Sequence, residues 1–179
     1  MDIATRLAHE QSFLGKKILE LEKSNQLTQK KLAEITGLNE RVIRRLEKGE
    51  TNLEFKTLLR LAIAFKTEIA NLFDYENKLN KRSVTNSQQD FTTKLSKEKE
   101  NLGNRISQLC KHREIDQEEL GILSKIASSD ISLYINGAEN LVLLTLLKIA
   151  IGLEVEIVDL FNYDGEMPDN NTFEGKLQF

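Results

Sequence analysis

Leu27-Thr28-Gln29-Lys30-Lys31-Leu32-Ala33-Glu34-Ile35-Thr36-Gly37-Leu38-Asn39 carries a helix start, a helix stop and a second start in one short span. The Thr28 hydroxyl can cap a helix through Ile35 by accepting from a backbone N–H that has no partner inside the helix. Gly37 breaks the pattern, and Asn39 can cap a further helix that runs to Gly49. A glycine there suits a left-handed residue just past the helix end, where other side chains meet a steric cost. Working outward, Leu14, Ile18 and Leu21 form the apolar stripe of a preceding helix, which Ile3 and Leu7 can extend upstream. Leu58, Leu61, Ala62 and Phe65 give the stripe of a fourth helix, and Ile69, Leu72 and Phe73 that of a fifth. The unit reads as five short helices.

That unit recurs. A shift of 88 positions brings the two halves into register without a gap. Leu14, Gly15, Ile18 and Leu21 return as Leu102, Gly103, Ile106 and Leu109. Gln29, Leu32 and Ile43 return as Gln117, Leu120 and Ile131, and Gly49, Asn52 and Leu53 as Gly137, Asn140 and Leu141. Ile69, Leu72, Phe73 and Tyr75 return as Ile157, Leu160, Phe161 and Tyr163. Similar composition alone does not hold a fixed register so long, so a tandem duplication is expected. The reading divides the chain into a unit over 1–75, a linker over 76–101, a second unit over 102–163 and a tail over 164–179. The first half of the linker is polar, Asn/Ser-rich and aperiodic, as in a flexible tether; Phe91–Asn101 reads as an extension of the next helix. The tail, with Pro168, Asp169, Asn170 and Asn171, reads as an irregular strap or as disordered. Its Asn162-Tyr163-Asp164-Gly165 lacks the alternating oxygen ligands and closing glutamate of a calcium loop.

Composition agrees with an all-α protein. Among 179 residues there are 1 Pro, 9 Gly and no Trp, and 30% are charged. No run of apolar residues approaches the roughly 20 needed to cross a bilayer, and the N-terminus lacks a signal pattern. A single cysteine, Cys110, excludes an intrachain disulfide framework and any multi-cysteine metal site. A soluble, cytoplasmic protein is expected. His9 and His112 are the only histidines. No Ser/His/Asp spacing or glycine-rich phosphate loop accompanies them, so catalysis and a zinc site are not expected.

The quoted stretch, with Val42-Ile43-Arg44-Arg45-Leu46-Glu47-Lys48-Gly49, Leu58-Leu59-Arg60-Leu61-Ala62 and Leu72-Phe73, resembles the Cro/phage-repressor class of helix-turn-helix proteins. The resemblance covers 14–75 fully. Residues 102–163 match less well but keep Asp116-Gln117-Glu118-Glu119-Leu120, Gly137, Asn140, Leu146-Leu147 and Leu160-Phe161. It implies two five-helix, lambda-repressor-like domains in tandem, in which the third helix enters the DNA major groove. Carried over by position, Thr28 and Gln29 open the second helix, with Gln29 on a phosphate. Asn39, Glu40, Arg41 and Arg45 face base edges, Arg44 and Lys48 lie towards the backbone, and Asn52 approaches phosphate. The chemistry suits these roles: arginine donates twice to guanine, and glutamate accepts from cytosine. The plain alternative is that Arg41, Arg44, Arg45 and Lys48 form a solvated helix face.

Charge separates the halves. Residues 14–75 hold 12 Lys/Arg against 9 Asp/Glu, a net +3, and residues 102–163 hold 5 against 9, a net −4. Phosphate neutralisation needs cations on the reading face. In the second unit that surface is Ala127, Ser128, Ser129, Ser132, Leu133 and Asn136, beside the acidic Glu114, Asp116, Glu118 and Glu119. The second unit is therefore expected to keep the fold without the activity. Many proteins of the class pair an arginine late in the first helix with a glutamate ending the third. Here those slots hold Glu22 and Glu47. Three arrangements are open: a bridging Lys23 or Lys48, an outward-turned Glu22, or a meeting in which one carboxyl binds its proton more tightly. The counterparts Cys110 and Ile135 are apolar, so Cys110 is expected to pack, although Lys111, His112 and Arg113 beside it keep redox sensing open.

The expected function is sequence-specific binding of double-stranded DNA in transcriptional regulation, as a repressor by the habit of the class. The alternative is an interaction module, such as an antitoxin-like adaptor, whose second unit binds a partner. A homodimer is expected through the second unit, with Leu133, Val155 and Val158 as contacts. No cofactor, small-molecule ligand or membrane partner is expected.

Overall fold

The computed structural model describes residues 2–79 and 90–168. The tether expected early in 76–101, and most of the tail expected from 164, lie outside the described residues. Those residues contain ten helices and no strand, in two compact units that fall within 2–87 and 88–179.

The first unit comprises α1 (Ile3–Ser24), α2 (Gln29–Thr36), α3 (Glu40–Glu47), α4 (Phe55–Ala64) and α5 (Ile69–Phe73); the second comprises α6 (Phe91–His112), α7 (Gln117–Ser124), α8 (Ser128–Ile135), α9 (Leu143–Gly152) and α10 (Ile157–Phe161). Every helix of the second unit starts and ends 88 residues after its counterpart in the first. The left-handed positions follow suit: Gln26 and Glu114, Gly37 and Lys125, Gly49 and Gly137, Lys66 and Glu154.

The first helix of each unit includes the upstream extension read from the sequence, from Ile3 in one and Phe91 in the other. α1 and α6 each run 22 residues, because an aspartate caps each far upstream of the apolar stripe. Asp2 accepts from the backbone N–H groups of Ala4 and Thr5 at 3.0 Å, and Asp90 from those of Thr92 and Thr93 at 2.7 and 3.1 Å. The Asp2 and Asp90 carboxyls are held below the usual carboxylate range by bonds to Thr5 and Thr93. Phe91–Asn101 accordingly belongs to α6.

Each core is built from the apolar stripes. Leu14, Ile18, Leu32, Ile43, Leu58, Leu61 and Leu72 are buried in the first unit, and Leu102, Ile106, Leu120, Ile131, Leu146 and Leu160 in the second. Full burial of such a side chain contributes about 1.5–3 kcal/mol, which is what orders helices of only 5–10 residues. A cation on the long helix then ties down the residues after the fifth helix. Lys17 donates to Asn77 Oδ1 at 2.7 Å. Arg105, its counterpart, is fully buried and donates to the carbonyl oxygens of Asp159, Gly165 and Glu166. Residues 162–168 are thereby strapped onto α6.

α3 lies close against α1 because Gly15 has no side chain. A Cβ there would stand 2.6 Å from the Glu47 carbonyl oxygen and 2.8 Å from that of Leu46. The backbones of α1 and α3 meet directly, and this contact sets the presentation of α3.

Candidate nucleic-acid interface

The start of α2 and all of α3 are fixed by local hydrogen bonds. Thr28 Oγ1 accepts from the Lys31 N–H at 3.2 Å, and Asn39 Oδ1 from the Arg41 N–H at 2.7 Å. Gly37 between them is left-handed, with φ 66°, and turns the chain from α2 into α3. Both capping oxygens are thus engaged within the protein, which leaves the Asn39 amide nitrogen as the group able to reach outward.

α3 divides sharply into two faces. Ile43 and Leu46 are buried, while Arg41, Arg44, Arg45 and Lys48 are exposed. Those four cations sit at spacings of three and four, hence on one side of the helix. With Glu50 they line an open concavity on the surface. Arg44 pairs with Glu40 at 3.8 Å, a solvent-exposed contact worth little and readily exchanged for another anion. Arg45 Nη2 donates to the Glu50 carbonyl oxygen at 3.0 Å, which braces the turn after α3. Asn52 lies exposed in the following loop. Of the residues expected to read DNA, Asn39, Glu40, Arg41, Arg44, Arg45 and Lys48 therefore share one helix and its cap.

Gln29 does more than was read from the sequence. Its amide Nε2 donates to Glu47 Oε2 at 2.6 Å, joining the first residue of α2 to the last of α3. Only its second N–H is left for a phosphate. Glu22 and Glu47 do meet. Glu22 is 6% exposed, and the Oε1 atoms of both carboxyls are buried without a hydrogen-bond partner. Neither lysine bridges them, and Glu22 does not turn outward. Burial first, then the charge and hydrogen bonding of Glu47, push the Glu22 carboxyl up to about 7.

The matching surface of the second unit has no cation on α8, whose exposed residues are Ser128, Ser129, Asp130 and Leu133. Leu133 is 41% exposed, as expected. Ile122 at 73% and Leu123 at 42%, both on α7, were not singled out from the sequence. Ile122 stands where the first unit has the exposed Glu34, and that exchange was the available signal. Val155 corrects the expected contact set: at 2% exposure it belongs to the unit's own core and cannot touch a partner. Val158 is half-buried. Cys110 is buried, and burial raises its thiol to about 11, with Asp116 adding to the rise. Burial therefore keeps the thiol protonated, in keeping with a packing role.

No helix among the described residues is long and apolar enough to cross a membrane, and no group of three or more metal-binding side chains occurs among them. No curated protein and no solved structure matches the chain. Residues 18–72, from the middle of α1 into α5, match the helix-turn-helix family model.

Proposed function

We propose that the first unit binds double-stranded DNA by sequence, with α3 in the major groove, and that the chain is a transcriptional regulator acting as a repressor. The observation that carries this reading is the single-sided array of Arg41, Arg44, Arg45 and Lys48 on α3. Its backbone is held by the Asn39 cap and by the close approach at Gly15. Arg41 and Arg45 read base edges together with Asn39 and Glu40. Arg44, Lys48, Asn52, Thr28 and the remaining N–H of Gln29 hold the phosphate backbone. Selection of bound fragments from a random DNA pool tests this. A recovered consensus with a steep salt dependence supports it, since each neutralised phosphate releases counterions; flat or absent binding overturns it.

The common offset of 88 in helix bounds and left-handed positions supports a tandem duplication whose second copy has lost the DNA face. One helix-turn-helix unit reads half a site, and two reading units one helical turn apart gain affinity from a shared effective concentration. With cations on only one reading face per chain, the second reader comes from another chain. The exposed Ile122, Leu123 and Leu133 are the apolar contact for a homodimer through the second unit, with Val158 as a further candidate. Light scattering on the full chain should show a dimer that Ile122→Ser with Leu133→Ser converts to a monomer. A wild-type monomer at high micromolar concentration overturns the assignment.

The same apolar face favours a second reading, an adaptor of antitoxin-like type in which partner binding dominates and DNA is secondary. Its signature is weak, salt-insensitive binding to mixed DNA fragments.

A further inference from the structure

Glu22 lies in the last turn of α1 and Glu47 is the final residue of α3, the helix proposed to read DNA. The two carboxyls occupy a confined place. Gly15 brings the α1 backbone against the Leu46 and Glu47 carbonyls, so no side chain cushions the contact. Each carboxyl has a buried, unpartnered Oε1. Glu47 spends its other oxygen on the Gln29 amide.

No cation relieves the pair. On α1, Lys23 is exposed, and Lys17 is engaged by Asn77 and Glu20. On α2, Lys30 is exposed and Lys31 pairs with Glu34. On α3, Arg44 pairs with Glu40, Arg45 bonds the Glu50 carbonyl, and Arg41 and Lys48 point to solvent. α5, which also packs on α1, consists of Ile-Ala-Asn-Leu-Phe and brings no charge within its span. Gln29 offers a neutral amide. Glu22 is buried and has the Glu47 carboxyl beside it, so ionising it is costly, and a proton on Glu22 removes that cost.

We propose that the Glu22–Glu47 pair is a proton-operated latch on the reading helix. With one proton held between the carboxyls, α3 is seated on α1 and DNA is bound; with both ionised, the C-terminal turn of α3 is pushed off α1 and DNA is released. The lever is short. Arg45 and Lys48 flank Glu47, so any displacement of its backbone turns two of the four cations on the reading face. The second ionisation also adds a negative charge behind a helix that must approach phosphates. Both effects have one sign, and affinity falls as pH rises through neutrality.

This inference rests on the DNA-binding reading, and its test separates the two. The probe is the duplex recovered from the random pool at pH 6, titrated against the full chain at constant salt at pH 6 and pH 8.5. Wild type should lose about tenfold in affinity, the ratio given by one unit of differential proton affinity. Glu22→Gln should lose less than twofold, because its amide donates to Glu47 at every pH. Every other titratable group is retained in that variant, so only the difference between the two proteins counts. Equal pH dependence in wild type and Glu22→Gln overturns the latch. Failure to bind DNA at any pH overturns the parent reading, and the latch is then judged by amide hydrogen exchange. Protection of α3 that falls between pH 6 and 8.5 in wild type, corrected for intrinsic rates, and stays level in Glu22→Gln supports it. Equal profiles sink it. Glu47→Gln, which keeps an oxygen for Gln29, repeats both measurements should Glu22→Gln fold poorly.

Discussion

Gln29 and Glu47 are joined by a 2.6 Å hydrogen bond from the side-chain amide to carboxylate Oε2, which fastens the start of α2 to the end of α3. The bond thereby holds two consecutive helices in place across the turn at Gly37.

Gln29→Ala removes that donor and leaves Glu47 with both oxygens unpaired. A buried acceptor stripped of its partner costs about 1–3 kcal/mol, more when charged. Urea unfolding of the first unit should register the loss. Unfolding midpoints equal to wild type would show that water replaces the amide at Glu47 Oε2 without cost.

Stability of the first unit should fall with rising pH. Glu22 has a folded-state value raised from 4.5 to about 7, so the folded state binds the proton more tightly than the unfolded chain does. The resulting stabilisation is complete below about pH 4.5, is lost as pH climbs through 7, and stays lost above it. Glu22→Gln does not titrate. Its stability relative to wild type should therefore climb across that window by a few kcal/mol. Parallel stability curves for the two proteins contradict the shift.

Arg41 and Arg45 should differ from Lys48 in kind. On the proposed docking, Arg41→Ala and Arg45→Ala should each cost a two-pronged base contact, about 1–3 kcal/mol, and relax preference at one operator position. Lys48→Ala should weaken all sequences alike and reduce the salt slope by about one. Arg45→Ala should also loosen the turn at Glu50, whose carbonyl it holds; Arg41→Ala should not. Competition binding against single-position operator variants distinguishes these outcomes. Docking through α3 is wrong if both arginine variants keep wild-type affinity and consensus.

Lys125 occupies a left-handed conformation, φ 54° and ψ 46°, at the turn between α7 and α8 where the first unit has Gly37. A side chain in that region carries a steric cost that glycine avoids. Lys125→Gly should raise the stability of the second unit by about 0.5–1 kcal/mol, part of the gain being offset by the freer unfolded chain. Thermal unfolding measures it, and a lower melting temperature would mean that the lysine side chain contributes more than its backbone costs.

The helices and their ends are written in neighbouring residues. Thr28, Gly37, Asn39 and Gly49 act through bonds or dihedrals a few positions away, so they can be read without a fold. The apolar stripes are equally local, because a period of three to four residues is a property of one helix, and the recurrence at 88 follows from them. The cations of α3 could be assigned to a face for the same reason. What Glu22, Gln29, Glu47 and Val155 do depends on residues brought near by packing between helices. Glu22 and Glu47 stand 25 positions apart, and whether two carboxyls meet, part or find a lysine is set by how closely α1 and α3 approach. Gly15 decided that approach, although nothing about a glycine in mid-helix names the backbone it will touch. Val155 looked as available as Leu133 because both are apolar in a polar setting, and only the three-dimensional core distinguishes the one it encloses from the one it leaves at the surface. Caps and stripes are decided within a helix, whereas burial and proton affinity are decided by which helices share a wall.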